Sequence, residues 1–241
     1  MTDAADPVGL LEGIATTRAI RRYTDDPIPE ATLRDILFAA TRAPSGSNRQ
    51  PFRFLVLRES PVAREAKQLI GDAARQMWGE KRRHDGYDEG SGARADSPKA
   101  RMAVSMEHYV ANFERAPVVV LPLLQRYRAP MPTEGASIYP ACQNLLLAAR
   151  SLGYGGVLTV FNASVDIELH QLLGIPDDVF IAGTITLGRP AGGHGPVRRR
   201  PLAELVFEDR WGSAPEWAVD PPGTRHTSAG PREPSGNDRT R

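Results

Sequence analysis

Apolar residues recur at helical spacing in three long stretches of the chain, with alternating or continuous apolar runs between them. From Glu30 to Arg42, Leu33, Ile36, Leu37 and Ala40 follow the i, i+3, i+4, i+7 rule, which predicts one buried helical face. From about Pro61 to Lys81, Val62, Ala66, Leu69, Ile70, Ala73 and Met77 share one side in the same way. The strongest pattern runs from Ser137 to Leu152, with Ile138, Cys142, Leu145, Leu146, Ala149 and Leu152 inward. Pro140 falls in the first turn of that helix, where no donor is lost, and Gly153 closes it. Shorter helices are predicted over Leu10 to Thr17, Lys99 to Phe113 and Val165 to Leu173, the last with Ser164 as its cap. Strands are predicted at Phe52 to Leu57, at Pro117 to Leu121 from its β-branched run, near Val157 to Phe161, and from Val179 to Leu187. Strand and helix alternate, which places the chain among α/β or α+β folds.

The breaks in this pattern are as informative as the elements. Arg18 to Tyr23 reads as an extended entry, and Asp25-Asp26-Pro27-Ile28-Pro29 turns the chain into the Glu30 helix. The turn from Arg42 to Phe54 sets Ser45, Ser47, Asn48 and Gln50 around Gly46, a dense group of small donors and acceptors between two rigid elements. Arg82 to Pro98 is charged, Gly-rich and without period, so it predicts either a plain mobile loop or a lid over a site, with Tyr87 as its one aromatic residue. Beyond Arg189 regular structure is lost. Residues 8–212 read as one domain without internal repeats, and residues 213–241 as a disordered tail too poor in apolar side chains to offset its ordering entropy.

Composition narrows the partners. The 241 residues are 41% hydrophobic and 24% charged with a net charge of +1, which favours neither nucleic acid nor a membrane surface. The amino terminus lacks the basic and apolar regions of a signal peptide, no run approaches about eighteen apolar residues, and the single cysteine fits a reducing compartment. A cytoplasmic protein is the expectation. Its five histidines are scattered, with no CxxC, HExxH or helical carboxylate cluster, so no metal site is expected. Neither a GxSxG elbow nor a phosphate-binding GxxxxGK[ST] or GxGxxG loop occurs. Cys142 lies within the apolar face of its helix and reads as a core residue rather than a nucleophile.

Three polar clusters remain: Arg18 with Arg21 and Arg22, the Ser45 to Gln50 turn, and Arg198 to Arg200. Each alone reads as a solvated patch. Together, in a near-neutral chain, they point to a phosphate-bearing ligand, because guanidinium forks meet two phosphate oxygens while small hydroxyl and amide groups suit the edge of a heteroaromatic ring. Flavin mononucleotide (FMN) fits that description, although these residues alone do not single it out.

Four segments carry a resemblance to a known family. They are Arg18-Ala19-Ile20-Arg21-Arg22-Tyr23 with Pro27-Ile28-Pro29; Ala43-Pro44-Ser45-Gly46-Ser47-Asn48-Arg49-Gln50-Pro51-Phe52; Gln143-Asn144-Leu145-Leu146-Leu147-Ala148-Ala149 running into Leu152-Gly153; and Arg198-Arg199-Arg200-Pro201-Leu202 with Arg210-Trp211-Gly212. In order and spacing these resemble the nitroreductase-like flavoproteins over roughly Gly13 to Gly212. The resemblance implies an α+β fold with a mixed sheet flanked by helices, and a homodimer with FMN at its interface. It also implies ping-pong transfer from NAD(P)H to a small-molecule electron acceptor such as a nitroaromatic or quinone, with chemistry borne by the flavin rather than by a catalytic side chain. Relatives on this fold also carry out reductive dehalogenation or breakdown of the flavin, and a non-catalytic flavin-binding protein is the third alternative.

By the same resemblance Arg18 and Arg200 are phosphate ligands, with Arg198 a weaker candidate, and Arg21 lies near the pyrimidine end of the ring. Ser45, Gly46 and Asn48 are contributed by the partner subunit, and Gln50 belongs to the cofactor-binding set. Leu158 and Thr159 lie against the ring, with the amide of Val160 near the hydride-accepting nitrogen. Ala19 belongs to the same set, although many relatives carry serine there, and Thr17 stands where many carry a basic residue.

Overall fold

The computed structural model describes residues 8–224. The chain divides between His194 and Gly195 into two units. The first is built on β2 (Val118–Gln125), the strand that every other layer covers. Its odd-numbered Val119, Leu121 and Leu123 enter one apolar cluster, while Val118, Val120 and Leu124 enter another on the opposite face. A strand buried on both faces must be apolar throughout, which is why this stretch shows a continuous run rather than alternation.

The first cluster is roofed by α3 (Pro61–His84), α4 (Pro98–Ala111) and α6 (Asp166–Leu173), and the second by α2 (Glu30–Ala40) and α5 (Tyr139–Ser151). α1 (Leu10–Thr16) precedes them. Pro61 and Pro98 open α3 and α4, each behind a serine whose hydroxyl accepts a backbone N–H: Ser60 from Ala63 and Ser97 from Ala100. The helices flank one sheet, in which β1 (Phe52–Leu57) and β5 (Thr184–Gly188) lie on either side of β2 and β3 (Gly155–Thr159) lies beyond β5. This is the α+β class.

Every described pairing is antiparallel, in contrast to the mixed sheet the resemblance implies. Between β1 and β2 the chain passes through two helices rather than one and so re-enters the sheet running the other way. β2 and β3, joined through the single long helix α5, do run parallel, but β5 is inserted between them.

The strand predicted at 179–187 is broken into β4 (Val179–Ile181) and β5, both on the same side of β2. Leu123 faces Ile181 and Val120 faces Ile185, so two residues of β2 oppose three of the partner, which is a bulge. Pro122 explains it. Its carbonyl accepts from the amide of Ala182 at 2.9 Å, but it has no N–H to return, and a proline inside a sheet is tolerated where a bulge removes the need for one. The same accommodation lets β2 continue to Gln125, past its predicted end at Leu121.

Two further expectations change. β3 ends at Thr159, and residues Phe161–Val165 form a 3-10 turn that leads directly into α6, so Ser164 caps nothing. Residues 85–97 form turns around a short 3-10 helix at Gly90–Ala93 instead of a featureless loop. Tyr87 packs edge-on against Trp78 at 5.0 Å, and Arg82 reaches Asp88 at 2.8 Å. A periodicity scan misses such anchoring, since one ring and one ion pair supply it. Among the described residues no helix is long and apolar enough to cross a membrane, and no group of three or more His, Cys, Asp or Glu is placed to hold a metal ion.

Among its described residues the second unit carries one short 3-10 helix, Leu202–Glu204, held to a later turn by the amide of Leu202 donating to Asp220 at 3.0 Å. Residues 225–241 of the tail lie outside the described residues.

Candidate functional site

The arginine-bearing segment is held against β3. After α1 ends at Thr16, the buried Ile20 donates its amide to the carbonyl of Gly156 at 3.0 Å. Further on, Thr24 donates to Arg189 and Ala191 to Arg22, so residues 20–24 lie between β3 and the chain leaving β5. Two glycines make room for this. A Cβ on Gly155 would sit 2.6 Å from Ile20 Cγ1, and one on Gly188 would sit 2.7 Å from the Tyr23 ring. This docking brings Arg18, Ala19 and Arg21 alongside the strand that carries Leu158 and Thr159.

Arg21 is half-buried, and its Nε is buried without a hydrogen-bond partner. Its neighbours are hydroxyls: Tyr23 and Tyr109 meet at the Thr186 hydroxyl, at 2.8 and 2.9 Å, and Thr159 also hydrogen-bonds to Tyr109. Burial pushes the Tyr109 phenol up to about 12 and that of Tyr23 well above its usual range, so both remain neutral. The guanidinium therefore has no anionic counterpart among them. Desolvation lowers its pKa, and the nearby Arg18 charge acts in the same direction. No described carboxylate pairs with Arg21 or with the exposed Arg18. A cavity of about 180 Å³ opens beside Arg21, between Tyr23, His108, Tyr109 and Asn112.

A second orphan lies close by. His194 donates through Nε2 to the Tyr154 carbonyl at 3.0 Å, which leaves Nδ1 as a buried acceptor without a partner. Its pKa is lowered by burial and further by the Arg150 and Arg18 charges, so the ring is neutral at pH 7. A half-buried cation with an unused donor, a second cation in reach and neutral hydroxyls around them form a seat for an anionic or strongly accepting group.

At the end of β3, Leu158 and Thr159 are half-buried and Val160 is exposed. Leu158 lies under Gly183, where a Cβ would approach its Cδ1 to 2.8 Å, so the bulge between β4 and β5 fixes where this segment stands.

The Ser45–Gln50 turn is elsewhere in the same chain. Phe52, just after it, pairs with Leu124, whereas Gly156 pairs with Leu187, which pairs with Val118. Six residues of β2 separate the two levels, roughly 20 Å at about 3.3 Å per residue. The turn is strained: Ser47, Asn48 and Gln50 have φ of 52°, 50° and 50°, the left-handed region that side chains disfavour. It is held by the Ser45 hydroxyl accepting from the Gln50 amide at 2.9 Å, by Gln50 Nε2 donating to Asn48 Oδ1 at 3.2 Å, and by the Gly46 amide donating to Ser137 at 3.3 Å. Its side chains face outward.

In the second unit Arg198 is exposed and Arg200 is half-buried, with Glu204 4.0 Å from its Nε. Of the residues singled out from the sequence, the structure thus joins Arg18, Ala19 and Arg21 with the strand of Leu158 and Thr159, and sets the turn of Ser45, Gly46, Asn48 and Gln50 six residues of β2 from the level of Gly156, where the arginine segment docks. Sequence reasoning missed Tyr109, Thr186 and His194. A tyrosine on the inner face of α4 was the one available signal, and nothing in the sequence pairs it with a threonine 77 positions away.

Comparison with known proteins gives a consistent result. The model of the nitroreductase family matches residues 14–189. A Thermus thermophilus protein named NADH dehydrogenase is 30% identical over 210 residues, 79% of this chain and 91% of that protein. A 4-nitrobenzoate reductase of a Nocardioides species is 29% identical, over 71% of this chain and 76% of its own length. Among solved structures, a Desulfovibrio desulfuricans protein provisionally named a nitroreductase and crystallised in complex with FMN superposes with a TM-score of 0.60 at 28% identity, covering 83% of this chain and 96% of that one.

Proposed function

Since the chain belongs to the nitroreductase family, we propose that it is an FMN-dependent NAD(P)H oxidoreductase. It makes two-electron reductions of nitroaromatic, quinone or similar conjugated acceptors by a ping-pong mechanism, as a cytoplasmic homodimer. The observation that carries this reading is the unpartnered, half-buried Arg21 Nε beside Arg18 and β3, a cation with which no described carboxylate pairs, since Asp25, the acid lining the adjoining cavity, is paired with Arg115. When bound, FMN supplies hydride acceptance from the nicotinamide and two-electron delivery to the acceptor.

The chain's own residues bind and tune. Arg18 would hold the phosphate, and Arg200 with the weaker candidate Arg198 are proposed phosphate ligands on the resemblance alone. Arg21 sits at the pyrimidine end, where a fixed cation stabilises the negative charge that develops on reduction. The neutral hydroxyls of Tyr23, Tyr109 and Thr186 hold no charge of their own, so they leave that cation uncompensated. Leu158 and Thr159 would form a wall against the ring, and the Val160 amide would be the donor offered to its reactive edge. Ser45, Gly46, Asn48 and Gln50 stand far from Arg21 within one chain, which supports their contribution from a second copy to the other copy's site. On this reading residues 8–212 are the flavin-binding domain and the remainder is an appendage to it.

The test is spectroscopic. Purified protein should be yellow and dimeric, bleach with NADH or NADPH under anaerobic conditions, and recolour on adding a nitroaromatic or a quinone. Colourless, monomeric protein that takes up no added FMN would overturn the proposal. Yellow protein inert to both nicotinamides would leave a flavin-binding protein without turnover.

A further inference from the structure

Next to the strained turn lies a second cationic cluster that the flavin reading does not use. Arg49 ends the 3-10 segment of the turn, Arg53 is on β1, and Arg126 and Arg128 follow β2, all around the exposed ring of Tyr127. The guanidinium carbons of Arg49 and Arg128 stand 4.4 and 5.1 Å from the centre of that ring. Arg53 donates to the Gln50 and Phe52 carbonyls and to Gln125. Among the described residues Arg126 alone of the four has an acid, being held in a bidentate fork by Glu134 at 2.6 and 2.9 Å. A groove of about 340 Å³ runs between Arg49, Arg53, Arg126 and Tyr127.

Four arginines gather here around one carboxylate; Arg53 and Arg126 spend donors on the protein, while no hydrogen bond to a described group occupies those of Arg49 and Arg128. Three of the four lie against an aromatic face, Arg49 and Arg128 on Tyr127 and Arg126 on Phe180, which fixes their planes. Such a site suits a ligand that carries a phosphate dianion and a flat ring, since a fork meets two phosphate oxygens and a second ring can stack on the guanidinium or tyrosine plane. A neutral acceptor has no use for it.

The location decides which anion. Arg49 and Gln50 belong to the same turn as Ser45, Gly46 and Asn48 and also line the groove, so on the flavin reading the groove adjoins the turn that meets the flavin. We propose that the groove receives the adenosine end of the nicotinamide donor, with its 2′-phosphate set between Arg49 and Arg53, and that the protein therefore prefers NADPH to NADH. This inference rests on the flavin reading of the turn. The 2′-phosphate distinguishes the two donors because it presents a dianion where NADH offers a hydroxyl, and two arginines paired with no described acid meet it.

The test separates the groove from the flavin site. Adenosine 2′,5′-bisphosphate and 5′-AMP are titrated calorimetrically into the full-length protein, and into a variant carrying Arg49→Gln and Arg53→Gln. Flavin content and kcat/KM for both nicotinamides are measured in parallel. The bisphosphate should bind at least tenfold tighter than AMP, and the variant should lose that advantage. It should also lose at least tenfold in kcat/KM for NADPH while keeping its flavin and its NADH value within about twofold. Equal binding of the two nucleotides, or an advantage that survives both substitutions, overturns the groove assignment with the flavin reading intact. Protein that binds the bisphosphate but takes up no FMN overturns the flavin reading and, with it, the role of the groove in donor binding.

Discussion

The amide of Ile20 donates to the carbonyl of Gly156 at 3.0 Å, and this bond is possible only because Gly155 beside it has no side chain. A Cβ there would meet Ile20 Cγ1 at 2.6 Å and the His194 ring at 3.1 Å. Gly155→Val should therefore lift the arginine segment off β3. Overpacking of this kind costs about 1–3 kcal/mol, and thermal denaturation should show a melting temperature several degrees lower, together with reduced flavin retention after dialysis. Gly192→Ala, where nothing lies within 4 Å of the added atom, is the control and should change neither.

Arg21 and Arg18 should separate stability from binding. A half-buried guanidinium whose Nε has no partner is a cost to the apoprotein, so Arg21→Met should keep or raise the melting temperature of flavin-free protein while weakening FMN binding more than tenfold. Arg18 is exposed, and Arg18→Ala should leave apoprotein stability unchanged and lower FMN retention sharply. Titration of the apoproteins with FMN, followed by flavin fluorescence, reads both. An Arg18→Ala protein that keeps full occupancy after dialysis removes Arg18 from the phosphate site.

What was legible in the sequence was whatever repeats or breaks locally. The i, i+3, i+4 faces of α2, α3 and α5 and the apolar run of β2 mark their own places, because burial on one or two faces writes directly into residue order, although Val62 and Leu152, read as inward, lie exposed at the helix ends where the face runs past the sheet. The bulge opposite Pro122 does not, since it depends on which strand lies beside β2. The turn at 45–50 stood out by composition, but its left-handed residues are Ser47, Asn48 and Gln50 rather than Gly46, so its strain is invisible until the backbone is seen. Arg21 stood out as a cation, yet its value to the site comes from Tyr109 and Thr186, which reach it through α4 and β5. The second cationic groove was hidden for the same reason, its arginines being split between the turn, β1 and the end of β2.

Cys142 should be inert. It is 1% exposed within the cluster under α5, and burial pushes its thiol up to about 12. At pH 8 the native protein should react with Ellman's reagent at less than about one hundredth of the rate of a free thiol, given an ordinary cysteine pKa of about 8.5. Full reactivity should return in denaturant. Rapid labelling of native protein, or loss of nicotinamide oxidation on treatment with a thiol reagent, would contradict the core assignment.

The Arg126–Glu134 fork makes a prediction of opposite sign for stability and for anion binding. Both side chains are about one-fifth exposed, and the guanidinium holds the Glu134 carboxyl below its ordinary value of 4.5. A folded-state pKa below the unfolded one gives stability that is complete above the unfolded value and disappears as pH falls through the folded one. Glu134→Gln should therefore lower the melting temperature most at neutral pH, by an amount equivalent to about 1 kcal/mol for a partly exposed charge-assisted pair. The gap to wild type should close as the pH drops below about 4.5. The same substitution leaves Arg126 without its acid at the edge of the groove, so adenosine 2′,5′-bisphosphate should bind several-fold more tightly at pH 7. A variant that loses stability equally at all pH values would show that Glu134 acts by packing rather than by charge, and one that binds the nucleotide less well would show that Arg126 needs its fork to face the groove.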